Sequence, residues 1–524
     1  MDTERRIDHF RPFDRFALGA VCLALAAVFA YLTVFCLIHT ATFDPENIFL
    51  ERVVYVRDPV LLTLGLMGCL ALLVRLLLRF EKALPLGWCT GVFLGLVFIV
   101  GVLWMNSLSA IPRADAQKCY SAGVQLALGR PLESPQYFQK YPFQAGYALY
   151  CELFVRLFGE YSTPKIGYAN ALLLALSYAA LLALLWDSCH DKRLQLCAVA
   201  LLALLIQPLF YVTFVYGFIP GLAFSLWGLV LAQRWVRQKR WWHLPLAAAL
   251  CAVAVVLKPN YWIMAVAILL VLLLYCARPR HIRWLPLALL VVLVPMAALW
   301  GAQRCFESRA GLPLGEGTPQ SAWFAMGLQE GSRASGWYND YTALALDPVT
   351  LDSGAAHRQA LEDIQARLKV FAADPAYALS FFHDKLVSQW SETTYEALWV
   401  NRTLTFTQPP SPAVESILSG EASQVLSRYM DGFTALLFLA FALGLPLWFF
   451  GGNARRRSWE EGFGLGVLAV AVFGGWLYHM LFEAKCQYLF IYLPMMTPFA
   501  AHALALRRKS GKGGPGPAEK SGGL

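Results

Sequence analysis

Apolar runs close to the length of a membrane crossing follow one another along this sequence. A transmembrane helix needs about 20 predominantly apolar residues. The chain is 58% apolar and only 15% charged, whereas soluble domains are close to half apolar and a quarter charged. The sequence therefore predicts an all-α polytopic membrane protein and excludes a soluble enzyme, a disordered chain and a disulfide miniprotein. We predict about twelve transmembrane helices, at 17–38, 59–78, 86–108, 165–186, 194–215, 217–235, 244–257, 260–276, 284–301, 430–450, 463–481 and 486–506.

Basic residues cluster in every second connection between these runs. Such alternation is the positive-inside pattern of membrane proteins, so the net charge of +9 indicates topology rather than nucleic-acid binding. The pattern requires a helix break at Lys258-Pro259-Asn260. It predicts an inner (plasma) membrane protein with both termini cytoplasmic. The inner connections would carry Arg5/Arg6/Arg11/Arg15, Arg75/Arg79/Lys82, Lys192/Arg193, Arg234/Arg237/Lys239/Arg240, Arg278/Arg280/Arg283, Arg455/Arg456/Arg457 and Arg507/Arg508/Lys509.

Two long segments then face outside the cytoplasm, and chemistry is expected there. The second segment is predicted to be mainly helical, with one helix near 357–372 and another opening at Asp374-Pro375, an N-cap followed by proline. The predicted divisions are 1–85 with two accessory transmembrane helices, 86–301 as transmembrane core with the first outer loop at 109–164, 302–429 as extracytoplasmic domain, 430–506 as C-terminal transmembrane helices, and 507–524 as a disordered cytoplasmic tail.

The twelve cysteines are scattered and form no CxxC pair, so neither a metal site nor a disulfide framework is indicated. The first apolar run is too long for a signal-peptide core and has no clear cleavage site. We therefore interpret it as a retained transmembrane helix.

Asp115 is a lone carboxylate directly after a predicted transmembrane helix, and Lys140 and Tyr141 follow in the same outer loop. A carboxylate at this position can act as a general base on a hydroxyl, while a lysine can hold a phosphate. A sugar carried on a lipid phosphate leaves an anion that needs no protonating acid. One carboxylate then suffices, where a glycosidase needs two.

The order of motifs in this loop resembles the first luminal loop of the GT-C membrane glycosyltransferases. Asp115 and Tyr120 are followed by a small-residue helix (121–129), by YFQKYP (137–142) and by LFVRLFG (153–159). The best match is the glycosyltransferase family 39-like group, which includes protein O-mannosyltransferases and bacterial aminoarabinose transferases. The resemblance implies a polyprenyl-phosphate sugar donor and an acidic base in this loop. Residues 257–260, 321–341 and 478–488 resemble further loops of the group.

The sequence also departs from the group. Ala116 follows Asp115 where many relatives have an acid, so this loop has no pair of acids to bind a metal. We therefore predict no definite cofactor; a divalent metal is possible but not indicated. Gln487 stands where arginine is common, which makes Lys485 the better phosphate ligand. Asp44 and Glu46, in the outer loop between the first two helices, are interpreted as a turn.

We therefore predict an inverting glycosyltransferase that moves a sugar to an extracytoplasmic acceptor, which is an envelope glycan, a lipid or a protein. Alternatives remain open: a lipid-linked glycan polymerase or ligase would rely on paired outer arginines, and a transporter would show inverted repeats. Lys258 could instead snorkel from a helix end, and Lys485 could pair with Glu483. The predicted site residues are Asp115 as base, Lys140, Lys258 and Lys485 for the donor phosphate, and Tyr141, Tyr338, His479, Glu483 and Tyr488 as secondary substrate ligands.

Overall fold

The computed structural model of the protein describes residues 8–44, 46, 49–451 and 458–506. The described chain is almost entirely helical, with two small antiparallel two-stranded sheets. This confirms the prediction of an all-α, multi-pass membrane protein. The predicted disordered tail, 507–524, lies outside the described residues.

The helices of the N-terminal half include most of the long apolar ones. Strands β1 (His39–Phe43) and β2 (Val53–Arg57) form a hairpin between the first two helices. The helices are α1 (Pro12–Ile38), α2 (Val60–Leu77), α3 (Leu86–Ser107), α4 (Ala114–Leu128), α5 (Pro135–Lys140), α6 (Ala145–Phe158), α7 (Thr163–Cys189), α8 (Lys192–Leu204), α9 (Gln207–Phe210), α10 (Phe218–Gln238), α11 (His243–Leu257) and α12 (Trp262–Cys276).

The C-terminal half contains the helices of the second long outer segment and the last apolar helices. Strand β3 (Ala110–Ile111), from the first outer loop, pairs with β4 (Thr405–Phe406). The helices are α13 (Leu285–Ala310), α14 (Gln320–Gly327), α15 (Tyr341–Leu344), α16 (Ser353–Ala373), α17 (Pro375–Trp390), α18 (Ala397–Arg402), α19 (Pro412–Ser419), α20 (Glu421–Phe450), α21 (Trp459–Leu481) and α22 (Tyr492–Leu504).

Helices lie at all twelve predicted positions, but the count of twelve membrane crossings is not confirmed. Among the described residues, eight helices are long and apolar enough to cross a membrane. A ninth crossing results if α8 and the bent segment 207–213 act as one span, with a bend of 49°. Helix α11 is apolar but shorter.

The predicted break in the long apolar run near residue 258 is present. Helix α11 ends at Leu257, and Lys258 has extended backbone angles (φ −156°, ψ 110°). A short 3₁₀ turn, Pro259–Tyr261, then leads into α12. Proline disfavours helical geometry in the residue before it, which explains why the helix ends here. The break exposes the lysine side chain to the interior of the protein rather than to lipid.

Ion pairs bring several of the basic connections together at one end of the helices. Arg278 contacts Asp8 and Asp14 at 3.2 Å each. Arg193 contacts Glu81 at 2.9 Å and donates to the carbonyl oxygen of Ala505 at 2.8 Å. The segment before α1 therefore meets the connection after α12, and the start of α8 meets the connection after α2 and the end of α22.

The predicted helices of the second outer segment are confirmed. Asp374 accepts a hydrogen bond from the backbone N–H of Tyr377 and caps α17. Helix α13 continues to Ala310 and α20 begins at Glu421, so the stretch between these two long helices runs from 311 to 420. Within this stretch α16 packs against α14 and α17, and α17 also packs against α21.

Helix α1 packs along α20 within the helical core. Phe29 contacts the rings of Trp390, Phe438 and Phe441 with centroids 4.9 to 5.1 Å apart. The hairpin that follows α1 reaches the outer segment, where the backbone N–H of Val53 donates to the carbonyl oxygen of Arg333. This packing carries the loop between α1 and α2 to the cavity described next.

Candidate functional site

A cavity of about 490 Å³ lies between the segment that leads into α4, the turn at Lys258 and the turn between α21 and α22. Of the residues predicted for the site, all except Lys140 line it: Asp115, Tyr141, Lys258, Tyr338, His479, Glu483, Lys485 and Tyr488. The fold thus brings together residues spread over more than 370 positions of sequence.

Asp115 lies in the first turn of α4 and is exposed to the cavity. The hydroxyl of Tyr216 donates to Oδ2 of Asp115 at 3.1 Å, and the side-chain amide of Gln144 donates to the same tyrosine oxygen. Ala114, just before Asp115, has a left-handed backbone (φ +51°), a conformation that costs a non-glycine residue roughly 1–2 kcal/mol. The carboxylate is therefore held by a relay of hydrogen bonds on a strained backbone, which is typical of a functional residue.

The tyrosine that holds Asp115 lies beside Lys258 because a glycine allows two segments to approach closely. Gly217 has φ +75°, and a Cβ atom there would collide with the carbonyl oxygen of Leu257. Only glycine fits both the backbone angle and the space. The close contact between Gly217 and Leu257 fixes the positions of their neighbours in the chain, Tyr216 and Lys258.

Lys258 is 5% exposed, and its ammonium lies 3.6 Å from the ring centroid of Tyr216 and 4.6 Å from that of Phe218. Among the described residues, no carboxylate lies within ion-pair distance of it. Burial lowers the pKa of Lys258 to about 8, although the nearby Asp115 carboxylate opposes this change. Lys258 is therefore not a lysine snorkelling to water but a buried cation that faces the cavity.

Lys485 is the second cation from the predicted set, and it is engaged by carboxylates. Its ammonium lies 2.7 Å from Glu51 and 3.7 Å from Glu396. Glu51 in turn lies 3.2 Å from Arg333. Burial alone would lower the pKa of Lys485, but the Glu396 and Glu51 carboxylates raise it well above its usual value. Lys485 therefore pairs with Glu51 and Glu396, which belong to two other segments, and not with Glu483 as the alternative interpretation of the sequence held.

Glu483, His479 and Tyr488 form one wall of the cavity. The hydroxyl of Tyr488 donates weakly to the Glu483 carboxylate at 3.5 Å, and Nδ1 of His479 donates to the main-chain oxygen of Glu483 at 3.3 Å. Burial raises the pKa of Glu483 to about 7, against the opposing effect of Lys485. The wall therefore carries a carboxyl group that changes charge near neutral pH.

Aromatic side chains form the opposite wall. Tyr141 and Trp323 both line the cavity, with ring centroids 6.0 Å apart. Tyr338 lies beneath the guanidinium of Arg333, 5.0 Å from its ring centroid. Trp337 is buried and donates to Ser388, so it belongs to the core of the outer segment rather than to the cavity. Aromatic faces of this kind can pack on the apolar face of a sugar ring.

Lys140 is the predicted residue that the fold places elsewhere. Its ammonium donates to the carbonyl oxygen of Ala343, and its side chain does not line the cavity. Lys140 lies at the end of α5, and the turn that follows directs Tyr141 rather than Lys140 toward Asp115. We therefore leave Lys140 out of the phosphate site proposed below.

Sequence reasoning missed several residues of the site. A smaller chamber of about 120 Å³ adjoins Asp115 and is lined by Glu51, Arg113, Tyr216 and Lys485, among others. Glu396 contacts Lys485 from α18's N-terminal side. Arg113, two residues before Asp115, was visible in the sequence as a cation next to the candidate base. Glu51 was not identifiable, because it belongs to a loop interpreted as a turn more than 430 positions from Lys485.

The described residues contain no group of three or more His, Cys, Asp or Glu side chains arranged to hold a metal ion. The cavity instead contains acids paired with, or facing, lysines and arginines. The chemistry that these residues offer is proton transfer by a carboxylate and electrostatic stabilisation of an anion.

No protein-family model and no curated protein sequence matches the chain. Solved structures similar to it include the archaeal oligosaccharyltransferase AglB from Archaeoglobus fulgidus in complex with an inhibitory peptide and a dolichol-phosphate. That match has 12% identity, covers 81% of this chain and 50% of that chain, and has a TM-score of 0.40. ArnT from Cupriavidus metallidurans bound to undecaprenyl phosphate has 15% identity, with 80% of this chain and 78% of that chain covered and a TM-score of 0.33.

A second structure of the Archaeoglobus fulgidus oligosaccharyltransferase, tethered to an acceptor peptide, has 13% identity and a TM-score of 0.36, with 78% of this chain and 48% of that chain covered. The chain thus spans about half the length of both oligosaccharyltransferase structures.

Proposed function

We propose that this protein is a GT-C type membrane glycosyltransferase that moves a sugar from a polyprenyl-phosphate donor to a hydroxyl of an extracytoplasmic acceptor. The observation that carries the proposal is the position of Asp115. This carboxylate is exposed to a cavity that also contains the buried cation Lys258, and Tyr216 contacts both residues. A base and a phosphate-binding cation in one cavity are what transfer from a sugar phosphate requires.

The reaction follows from this arrangement. Asp115 accepts the proton of the acceptor hydroxyl on Oδ1, since Oδ2 already accepts from Tyr216. The acceptor oxygen forms a bond to the anomeric carbon as the bond from that carbon to the phosphate oxygen breaks. The electron pair of the broken bond stays on the polyprenyl phosphate, which gains one negative charge. A single displacement of this kind inverts the anomeric configuration.

The cation side of the cavity stabilises this leaving group. Negative charge develops on the phosphate in the transition state, and a fixed cation in a water-poor site stabilises it more than bulk water does. Lys258 meets this condition because it is buried and has no carboxylate at ion-pair distance among the described residues. The leaving phosphate needs no general acid. Asp115, the carboxylate hydrogen-bonded to Tyr216, is therefore the one carboxylate that the reaction requires.

A groove beside the site offers room for the isoprenoid chain. A cavity of about 980 Å³ lies between the outer end of α3, α4 and the start of α7, and Pro112 lines both this cavity and the small chamber at Asp115. An entirely apolar groove of about 250 Å³ continues from Tyr168 along Phe98 and Leu103 on α3. A long apolar chain could therefore lie along α3 while its phosphate reaches the cations.

A glycan polymerase or ligase with a diphosphate donor is the second candidate, since the outer segment is rich in arginine. Its arginines, however, are mostly engaged away from the cavity: Arg309 with Glu152, and Arg367 with the ring of Phe371 and the oxygen of Leu328. Of the arginines in the segment, Arg333 is the one that lines the 490 Å³ cavity, and it pairs with Glu51. The monophosphate donor fits the cavity better.

The proposal is tested by sugar transfer with the purified protein in nanodiscs, using a panel of polyprenyl-phosphate sugars and Asp115→Asn as the key variant. Asparagine keeps the size of the side chain but cannot accept the proton, so the rate should fall by about 10²- to 10⁴-fold. Asp44→Asn is the matched control, because the Asp44 carboxylate accepts a local hydrogen bond from the N–H of Glu46 and is not among the described residues that line the cavity. Wild-type turnover by Asp115→Asn would refute the assignment of the base.

A further inference from the structure

The charged residues around the cavity divide into those that are paired and those that are not. Glu51 lies between Lys485 and Arg333, and Glu396 approaches Lys485 from the other side. These four residues form one alternating network of charges, in which each cation faces at least one carboxylate. The network joins the loop after β1, the outer segment and the turn between α21 and α22.

Arg113 forms no ion pair with this network, although the Glu51 and Glu396 carboxylates lie near enough to oppose the lowering of its pKa by burial. Its guanidinium packs 4.6 Å from the ring centroid of Trp399 and 5.8 Å from that of Phe49. Among the described residues, no carboxylate lies within ion-pair distance of it and no side-chain hydrogen bond is formed by it. Arg113 is half-buried and lines both the large cavity and the small chamber. Ring contacts of this kind hold a guanidinium in place without neutralising its charge.

Lys258 is the other cation of the cavity without a carboxylate partner among the described residues, as shown above. Arg113 and Lys258 belong to different segments of the chain, and both line the 490 Å³ cavity. Asp115 lines the same cavity at the start of α4, where it accepts a hydrogen bond from Tyr216. Together the two cations supply two positive charges. A phosphate monoester leaving group carries close to two negative charges near neutral pH.

We infer that Arg113 and Lys258 form the anion-binding pair of this cavity for the phosphate of the lipid donor, and that Glu51 keeps Lys485 out of this role by pairing with it. The inference rests on the proposed function for the identity of the ligand and extends it to particular residues. Glu51 is a positioning residue, since it acts through Lys485 and does not itself bind the phosphate.

Electrostatics supports this division of roles. An anion that approached Lys485 would have to compete with two carboxylates, one of them at hydrogen-bond distance. At Arg113 and Lys258 the phosphate would replace no carboxylate partner, so its binding energy is not spent on breaking an existing ion pair. Arginine also presents two N–H groups in a geometry that matches phosphate oxygens.

The test measures the binding of undecaprenyl phosphate to the full-length protein in phosphatidylcholine nanodiscs, with neutral undecaprenol as the probe that lacks the phosphate. Arg113→Gln and Lys258→Met should each weaken phosphate-lipid binding roughly ten- to hundredfold, the value of one charged hydrogen bond. Lys118→Met is the matched control, because Lys118 is exposed on the same helix as Asp115 and contacts the Tyr137 ring instead of lining the cavity. Thermal unfolding of each variant checks that it is folded.

The role of Glu51 has its own readout. Glu51→Gln should tighten the binding of undecaprenyl phosphate severalfold, because it leaves Lys485 with less opposing charge. The double variant Glu51→Gln/Lys485→Gln should lose most of this gain, and the part that remains measures the effect of the Glu51 carboxylate on Arg113. A purely structural role for Glu51 would give weaker binding in both variants and would overturn this part of the inference.

The outcomes separate the inference from the proposed function. Equal binding of both probes to the wild type, or wild-type affinity in Arg113→Gln and Lys258→Met, overturns the inference even if sugar transfer is observed. Conversely, selective binding that depends on Arg113 and Lys258, without transfer from any donor in the panel, supports the inference and refutes the proposed function. A loss of affinity in the double variant as large as that in Arg113→Gln would place Lys485 in the phosphate site and overturn the assigned division of roles.

Discussion

The hydroxyl of Tyr216 donates a hydrogen bond to Oδ2 of Asp115 at 3.1 Å, across 101 positions of sequence. The same hydroxyl accepts from Gln144, and the tyrosine ring contacts the ammonium of Lys258. Tyr216 thus contacts both the proposed base and a proposed phosphate ligand. The Tyr216 side chain therefore fixes the distance between Asp115, which accepts the proton, and Lys258, which binds the leaving phosphate.

Tyr216→Phe should lower kcat about tenfold or more with little change in KM, because a hydrogen bond to a charged group contributes about 1.5–3 kcal/mol. The ring and its contact with Lys258 remain, so donor binding should persist. Tyr178→Phe is the control, since the buried Tyr178 hydroxyl has no partner among the described residues. Steady-state kinetics of both variants make the comparison. Equal effects of the two substitutions would contradict a specific role of the Tyr216 hydroxyl.

Above about pH 7, where a phosphate monoester with a second pKa of about 6 is already close to a dianion, the binding of undecaprenyl phosphate should weaken as pH rises. Burial lowers the pKa of Lys258 to about 8, so its charge is present below that pH and is lost above it. The titratable groups that act on Lys258 include Asp115, Cys119, Glu483 and Lys485. Burial raises the pKa of Glu483 to about 7, so this carboxyl gains negative charge over the same range and also opposes binding. Lys485 stays charged because its pKa is raised by its carboxylate partners, against the effect of burial.

Lys258→Arg separates these two contributions to the pH dependence. Arginine stays protonated throughout the accessible pH range, so the loss of affinity above about pH 8 should disappear, while any loss near pH 7 due to Glu483 should remain. Binding titrations at several pH values measure this directly. An unchanged pH profile in Lys258→Arg would show that Lys258 does not titrate in contact with the phosphate.

Gly217→Ala should destabilise the protein and abolish activity. A Cβ atom at this position meets both a left-handed backbone and the carbonyl oxygen of Leu257. Gly129 provides a matched control because it has a similar backbone angle (φ +65°) but open space around its Cβ position. Gly129→Ala should cost only about 1 kcal/mol. Thermal unfolding in detergent should show a clearly larger loss for Gly217→Ala.

Both termini are expected on the cytoplasmic side, with residue 350 outside. The exposed cysteines among the described residues are Cys69 and Cys305, so replacing both with serine gives a suitable background. An impermeant thiol reagent added to intact cells should then modify Thr350→Cys but not Arg240→Cys, two positions that are both exposed in the fold. Labelling of position 240 alone would invert the topology and move the cavity to the cytoplasm.

The helical fold was predictable because each apolar run carries its own signal. Helices occur at all twelve predicted positions, and the break at Lys258 follows from the proline after it. The cap at Asp374 was likewise visible in the sequence. These features depend on residues close together along the chain, so no tertiary information was needed to find them. The number of helices that cross the membrane depends on their lengths and tilts, so it does not follow from the number of runs.

The candidate site was predictable in part. Asp115, Lys258, Glu483 and Lys485 could be identified as ionisable residues at the ends of apolar runs, where charge is costly unless it has a use. Lys140 has the same character, yet it bonds to the main chain of Ala343. Sequence position could not separate these cases, because the direction of a side chain in a loop depends on the segment packed against it.

The sequence by itself determined that the chain is a bundle of apolar helices, and that Asp115, Lys258, Glu483 and Lys485 lie at the ends of apolar runs. Tertiary structure alone decided which charges meet. Glu51 reaches Lys485 because α1 packs along α20 and carries the hairpin to the cavity, and Arg113 packs on the rings of Trp399 and Phe49 instead of forming an ion pair. The physical reason is that helix formation follows local periodicity, whereas ion pairing in a buried cavity depends on distances of a few ångströms between segments far apart in sequence.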